Sequence, residues 1–195
     1  MSTIALFHSV LGVRAGVVDT ADLLREDGHR VVVVDQYGGR VFDDYEEAGA
    51  YAEGIGYPAL MQSALDAVSD LDDGFFTVGY SNGGGMAQLV ALNRSVAGVA
   101  MVSGALPLGM LGAEAWPSDV PAQIHYSGAD PFRDDEWLDS AVTSIQGSGA
   151  PLETHLGYAG GHLFMDADLH DEFDRESAAL LLERLRAFCA SSRSR

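Results

Sequence analysis

The sequence contains no lysine, and all eleven of its basic residues are arginine. Twenty-nine acidic residues outnumber them, which gives a formal net charge of -18 at pH 7 and a pI of about 4.3. A field of that sign repels nucleic acids and anionic membrane surfaces. We therefore expect neither a nucleic acid nor a membrane as a partner of this protein.

Cysteine and long apolar runs are also scarce. The single cysteine, Cys189, excludes an internal disulfide and a cysteine-based metal cluster. No apolar run reaches the roughly 18 residues that a membrane helix needs. The first residues, MSTIALFHSV, lack a charged n-region and a small-residue cleavage site, so they predict a strand rather than a signal peptide. The cytoplasm is the expected location.

A metal or another cofactor is not expected either. The one stretch that suggests a metal is the acidic run DADLHDEFD around His170, and its spacing matches no known ligand set. A solvated acidic loop is the simpler interpretation of such a run.

The apolar segments that are present alternate between two kinds. Continuous β-branched runs, such as Val31 to Val34, are typical of strands buried on both faces of a parallel sheet. Segments with helical spacing lie between these runs, which predicts an α/β domain with a doubly wound, mostly parallel sheet of about six strands and helices on both faces. The predicted strands are 3–8, 30–35, 75–80, 96–103, 122–127 and 152–157, and the predicted helices are 15–27, 58–71, 83–93, 134–146 and 174–189.

The chain length suits one domain. We expect a single domain over residues 1–190, followed by a flexible tail, SSRSR, at 191–195. The least regular segments are 36–56 and 104–120, which are candidates for a lid. The protein is expected to be a monomer or a homodimer.

A serine stands at one junction between a predicted strand and a predicted helix, in Gly79-Tyr80-Ser81-Asn82-Gly83. The G-x-S-x-G pattern at such a junction is the nucleophile elbow, where a strained serine projects its hydroxyl above the sheet. Gly79 and Gly83 would remove side chains that collide with neighbouring backbone. Composition alone gives the pattern roughly 0.2 times in a chain like this, so the strand and helix around it carry the prediction.

A serine nucleophile needs a base and an acid that orients the base. Asp130 follows the strand 122–127, and His162 lies in a glycine-flanked loop after the strand 152–157. Both would reach the carboxyl edge of the sheet beside Ser81, where sites of α/β proteins form. The rivals Asp134 and Asp135 resemble the start of the following helix, and His125 and His155 lie inside strands.

An oxyanion hole requires two backbone donors. The N–H group of Asn82 is one candidate, and the N–H group of Val10, in the loop after the first strand, is the other. His8, which ends the first predicted strand, could line the same pocket.

Four segments carry a resemblance to a known family: VGYSNGGGMA, VVVVDQYGGRVFDD, SGADPF and GGHLFMDADLHDEFDRESAALLLERLRAF. They resemble the dienelactone hydrolase family of α/β-hydrolases, and the resemblance extends from residue 4 to about residue 189. It implies hydrolysis of a small ester, lactone or thioester through an acyl-enzyme, with Ser81, Asp130 and His162 as the catalytic triad.

The sequence departs from the family pattern at three positions. Well-studied members carry cysteine where this chain has Ser81, and a glutamate that activates the cysteine where this chain has Ser9. They bind a substrate carboxylate with arginines, one of which lies four residues after the histidine, where this chain has Asp166. Arg40 remains a candidate for the mouth of the site. Because the arginine after the histidine is replaced by Asp166 and the net charge is -18, we do not expect a strongly anionic substrate.

Two other functions fit the same residues. The altered first loop and the missing arginine would suit a non-catalytic protein that binds a ligand or a partner on the hydrolase scaffold. An acyltransferase or a haloperoxidase-like enzyme could use the same triad, since pocket shape and access of water decide the acceptor.

Overall fold

The computed structural model describes residues 1–190 and has at its centre a six-stranded sheet in which every strand pair is parallel. The strands are β1 (Thr3–Phe7), β2 (Arg30–Val34), β3 (Phe75–Tyr80), β4 (Val96–Val102), β5 (Ala122–Ser127) and β6 (Leu152–Tyr158). This confirms the predicted fold class and strand number. The predicted tail, 191–195, lies outside the described residues.

Six α-helices accompany the strands, together with one 3-10 turn, Leu108–Leu111, in the described chain. The helices are α1 (Ala15–Glu26), α2 (Tyr45–Ile55), α3 (Tyr57–Ala67), α4 (Asn82–Asn93), α5 (Asp135–Ser148) and α6 (Arg175–Ala190). None of these helices is long and apolar enough to cross a membrane.

The core lies along the central strands. All six residues of β3 and all six of β5 are buried, as is most of β4, which explains why β3 and β4 read as nearly continuous apolar runs. β5 also buries the polar residues Gln123, His125 and Ser127. The edge strand β6 is mostly exposed, whereas the other edge strand, β2, which contains the run Val31 to Val34, is buried or half-buried except at Arg30. Position at the edge of the sheet therefore does not by itself decide whether a strand is a continuous apolar run.

One prediction about an irregular segment was wrong. Residues 36–56 contain α2, which begins after Asp44, whose carboxylate caps the helix by accepting a hydrogen bond from the backbone N–H of Glu47 at 2.8 Å. Acidic residues in the first turn and a C-terminal glycine, Gly56, complete the boundary signals. Its fully buried residues, Ala48 and Ala52, are small, and the larger Tyr51 and Ile55 are only partly buried, so the helical spacing of apolar residues is weak.

The strand order β2-β1-β3-β4-β5-β6 reverses direction between β1 and β3. A crevice forms at the carboxyl ends of the strands at such a reversal, and ligands of open α/β sheets bind there. The loop after β1 and the junction between β3 and α4 meet at this point, which places the segment around Ser81 at the expected ligand-binding edge.

Candidate active site

Ser81 joins β3 to α4 in a backbone conformation that side chains rarely adopt, with φ of 55° and ψ of -122°. Its N–H group donates to the carbonyl of Val102 on the neighbouring strand at 2.7 Å, which fixes the turn to the sheet. A non-glycine residue held at positive φ costs of order 1–3 kcal/mol and persists where the surroundings over-determine it.

The glycines around Ser81 are required by close backbone approach. A Cβ atom on Gly79 would overlap the Gly83 carbonyl, and one on Gly83 would overlap the carbonyls of Phe7 and His8 at the end of β1. A Cβ atom on Gly84 would overlap the carbonyl of Gly104, and one on Gly104 would overlap the carbonyl of Ser81. The turn can therefore form only with glycine at these positions, and α4 begins directly against the end of β1.

The structure brings Ser81, His162 and Asp130 into one chain of hydrogen bonds. The Ser81 Oγ lies 2.8 Å from Nε2 of His162, and Nδ1 of His162 lies 2.8 and 2.9 Å from the two carboxylate oxygens of Asp130. The side chain of His162 is 4% exposed and that of Asp130 is fully buried. Because a carboxylate only accepts hydrogen bonds, Asp130 fixes the proton on Nδ1 and leaves Nε2 to accept from the serine hydroxyl.

Two backbone N–H groups beside the serine have no acceptor in residues 1–190, those of Val10 and Asn82. Gly83 presses α4 against the end of β1, so the loop that contains Val10 adjoins the turn that contains Asn82. Free N–H groups at a helix N-terminus favour negative charge. These two N–H groups therefore remain candidates for donors to an oxyanion.

The other predicted pocket residues do not line the cavity beside Ser81. His8 is buried, with Nδ1 2.6 Å from the Ser9 carbonyl and Nε2 accepting from the N–H of Gln36 at 3.0 Å; burial lowers its pKa, so the ring stays neutral. The Ser9 hydroxyl oxygen accepts from the N–H of Leu11. The guanidinium of Arg40 lies over the ring of Tyr51, 4.8 Å from its centroid, and so is held away from the cavity.

A cavity of about 400 Å³ opens beside Ser81 and His162. Its walls are mainly apolar and aromatic, and its residues come from α3, the start of α4, the segment after β4 and the start of α5. The segment 104–120, which sequence analysis left as a candidate lid, supplies part of the wall. The lining residues are Tyr57, Met61, Ser81, Asn82, Gly85, Met86, Ser103, Gly104, Ala105, Leu106, Met110, Leu111, Tyr126, Phe132, Asp134, Trp137 and His162.

Sequence analysis missed Ser103, which follows β4 and also has φ of 55°. Its hydroxyl donates to the His162 carbonyl at 2.6 Å, and its N–H donates to the His125 carbonyl at 2.8 Å. Ser103 thus ties the loop that carries His162 to the end of β4. The signal in the sequence is a serine directly after a strand with a glycine close behind it: Gly104 follows Ser103, and Gly83 lies two residues after Ser81.

Glu172 holds the same loop from its other side. Its carboxylate accepts hydrogen bonds from the backbone N–H of Leu163 at 2.6 Å and from the hydroxyl of Tyr45 at 2.8 Å. Burial, together with the hydrogen bond to Glu172, raises the pKa of the Tyr45 hydroxyl, which therefore remains a donor. Ser103 and Glu172 therefore hold the two polar groups of the peptide bond that follows His162, its carbonyl and the N–H group of Leu163.

A buried ion pair occupies the position four residues after the histidine. Nε of Arg14 lies 3.0 Å from Oδ2 of Asp166, with the two side chains 6% and 4% exposed. Arg14 also donates to the Phe42 carbonyl at 2.7 Å and to the exposed carboxylate of Asp43 at 2.6 Å. The pair joins the loop between β1 and α1 to the loop that carries His162.

The acidic residues considered as rivals have structural roles. Asp134 caps α5 by accepting from the N–H of Trp137 at 3.0 Å, and Asp135 is the first residue of the helix and pairs with Arg133. Over residues 1–190, no group of three or more histidine, cysteine or acidic side chains is arranged to hold a metal ion, including the run around His170.

A model of the dienelactone hydrolase family matches residues 1–191. Among solved structures, a dienelactone hydrolase-like promiscuous phosphotriesterase from metagenomic libraries is 15% identical, with a TM-score of 0.79 over 97% of this chain and 86% of that chain. The hyperthermophilic esterase from the archaeon Pyrobaculum calidifontis is 16% identical, with a TM-score of 0.72 over 97% of this chain and 77% of that chain.

The α/β-hydrolase MGS-M1 from a Medee basin deep-sea metagenome library is 15% identical, with a TM-score of 0.70 over 96% of this chain and 83% of that chain. No curated protein matches the sequence. At such identities the structural matches establish the α/β-hydrolase fold.

Proposed function

The chain belongs to the dienelactone hydrolase family and is a hydrolase, and we propose that it cleaves small carboxylic esters, lactones or thioesters through an acyl-enzyme on Ser81. The observation that carries the proposal is the continuous hydrogen-bonded contact from Ser81 through His162 to Asp130. Family membership indicates a small-molecule substrate; the ester class is inferred from the site.

Acylation begins when the Ser81 hydroxyl attacks the substrate carbonyl carbon while Nε2 of His162 takes its proton. Asp130 keeps Nδ1 protonated and stabilises the imidazolium that forms. The tetrahedral oxyanion accepts hydrogen bonds from the N–H groups of Val10 and Asn82. The leaving alcohol or thiol departs with the proton from Nε2, which leaves Ser81 acylated.

Deacylation repeats these steps with water. His162 removes a proton from a water molecule that attacks the acyl carbon, and it returns that proton to the Ser81 oxygen as the ester bond breaks. Serine in place of cysteine suits this cycle because the neutral imidazole itself acts as the base, so no carboxylate is needed at Ser9. The contacts of Ser103 and Glu172 would hold the imidazole in one orientation through both steps.

Intact mass after exposure to a fluorophosphonate tests the proposal. We expect one adduct on the wild-type protein and on Ser144→Ala, a control serine in α5, and none on Ser81→Ala. With a reactive aryl ester, Ser81→Ala should lower kcat by about 10⁴-fold or more. A folded Ser81→Ala protein with wild-type activity would refute the role of Ser81. A folded wild-type protein that takes up no adduct would favour a ligand-binding protein on this scaffold.

A further inference from the structure

We propose that the cavity beside Ser81 selects esters that carry a positive charge, such as a quaternary ammonium group, in preference to neutral and anionic esters. This inference rests on the proposed ester hydrolysis and concerns the part of the substrate away from the reacting carbonyl. It follows from the charge and the aromatic character of the cavity wall.

The lining residues include no arginine, and Asp134 is the one acidic residue among them. Arg133, the basic residue next to Asp134 in the sequence, already has hydrogen-bond partners: its guanidinium donates to Asp135 at 2.8 Å and to the Ser127 carbonyl at 3.4 Å. Burial is the main cause that raises the pKa of the Tyr126 hydroxyl on the cavity wall; the charges of Asp130 and Asp134 raise it further, and that of Arg133 lowers it. Two carboxylates and one guanidinium therefore act on this wall, and no arginine side chain lines the cavity to pair with an anionic group.

Three aromatic residues of the cavity lining are partly exposed to solvent, and we refer to them as the rings at its mouth. Tyr57, Phe132 and Trp137 line it and remain 46%, 57% and 41% exposed. The faces of such rings attract cations, and quaternary ammonium ligands are recognised by groups of them. Three rings near a single carboxylate therefore form a surface suited to a bulky, weakly hydrated cation.

The protein's own cations leave these rings free. Within residues 1–190, the arginines that stack on aromatic rings are Arg40, Arg94 and Arg184, and their partners are Phe42, Tyr51, Phe75 and Tyr158. None of the three rings at the mouth is covered in this way. The net charge of -18 adds a long-range field that concentrates cations near the protein.

Three butyrate esters of similar size test the inference: those of choline, of 3,3-dimethylbutanol, which is its neutral isostere, and of 2-hydroxyethanesulfonate. At low ionic strength we expect kcat/KM for the choline ester to exceed that of the neutral ester by about fivefold or more, and the sulfonate ester to be the slowest. The advantage should shrink as salt is added, because Asp134 is exposed and its field is screened. A choline ester no faster than the neutral ester would overturn the inference.

Two matched variants locate the effect. Asp134→Asn should reduce the preference for the choline ester about threefold, and asparagine caps a helix as well as aspartate does. Asp139→Asn changes the net charge equally in the same helix but lies outside the cavity lining, and it should leave the preference unchanged. An equal loss in both variants would assign the effect to net charge and contradict the role of Asp134.

A binding measurement separates this inference from the proposed reaction. Calorimetry on Ser81→Ala, which needs no turnover, should show that choline binds more tightly than 3,3-dimethylbutanol. Equal or weaker binding of choline would refute the cation site even if the wild-type protein hydrolyses all three esters. Tighter binding of choline without hydrolysis of any ester would refute the proposed reaction and keep the cation site.

Discussion

The buried ion pair between Arg14 and Asp166 should be a major source of stability for the site. Asp166→Leu removes the carboxylate and leaves the Arg14 guanidinium buried, with the Phe42 carbonyl and the exposed Asp43 as its remaining partners. Breaking a buried pair by removing one partner costs about 3–5 kcal/mol. Because two partners remain, we expect the lower end, about 3 kcal/mol.

For a domain of this size each kcal/mol shifts the melting temperature by about 2–4 °C, so Asp166→Leu should melt about 6–12 °C below wild type. Thermal and urea unfolding followed by circular dichroism measure the shift. The double variant Arg14→Met with Asp166→Leu should recover part of the loss, because it leaves no unpaired buried charge. Asp43→Ala, which removes a partner of Arg14 that is 96% exposed, is the control and should leave the melting temperature unchanged.

Two outcomes would refute this reasoning. If Asp166→Leu has the same melting temperature as the wild type, the charge of Arg14 is satisfied without Asp166. A double variant whose loss of unfolding free energy exceeds the summed losses of the two single variants would mean that the side chains stabilise the protein by packing rather than by pairing.

Three further predictions concern single positions. Ser103→Gly removes the hydrogen bond to the His162 carbonyl, so kcat for ester hydrolysis should fall about tenfold. The variant also relieves the positive φ at residue 103, so its melting temperature should change little. A kcat equal to that of wild type would exclude a positioning role for Ser103. Gly83→Ala forces a methyl group onto the carbonyls of Phe7 and His8, so the free energy of unfolding measured in urea should fall by at least about 1–3 kcal/mol. An unchanged urea midpoint would contradict the close approach of α4 to the end of β1. Burial lowers the pKa of His125 to about 3, so below pH 6.5 the unfolded chain binds a proton that the folded chain does not. The free energy of unfolding should therefore fall by about 1.4 kcal/mol per pH unit as the pH drops from 6.5 towards 3. In urea titrations from pH 7 to 5, His125→Gln should lose stability less steeply than wild type, and an equal loss per pH unit would exclude His125 as a cause of the pH dependence.

Most of the architecture could be predicted because the strands that position the site are central strands. A strand buried on both faces is mostly apolar, so β3 and β4 are recognisable without any tertiary information. The same holds for Ser81: the glycines that make its turn possible are local in sequence, and His162 and Asp130 lie within hydrogen-bond reach of one another and of its hydroxyl.

The remaining features depend on contacts between distant segments. Arg40 was predicted near the site, but the choice between the cavity and the ring of Tyr51 is made by α2, a helix with small buried residues that the apolar pattern did not reveal. The pairing of Arg14 with Asp166 spans 152 residues, and nothing local marks either residue as buried. Such contacts are set by the packing of loops, which a single sequence does not display.

The all-parallel sheet has a consequence for how the protein acquires its activity. Parallel strands cannot pair through a tight turn, so every strand pair closes only after a long crossover segment has folded. Ser81 and His162 are 81 residues apart in the chain, and Asp130 and His162 are 32 apart, so their contacts require β3, β5 and β6 to be in place together. During refolding from urea, the circular dichroism signal of the helices should return first. Reactivity towards a fluorophosphonate should return only after β3, β5 and β6 have all joined the sheet.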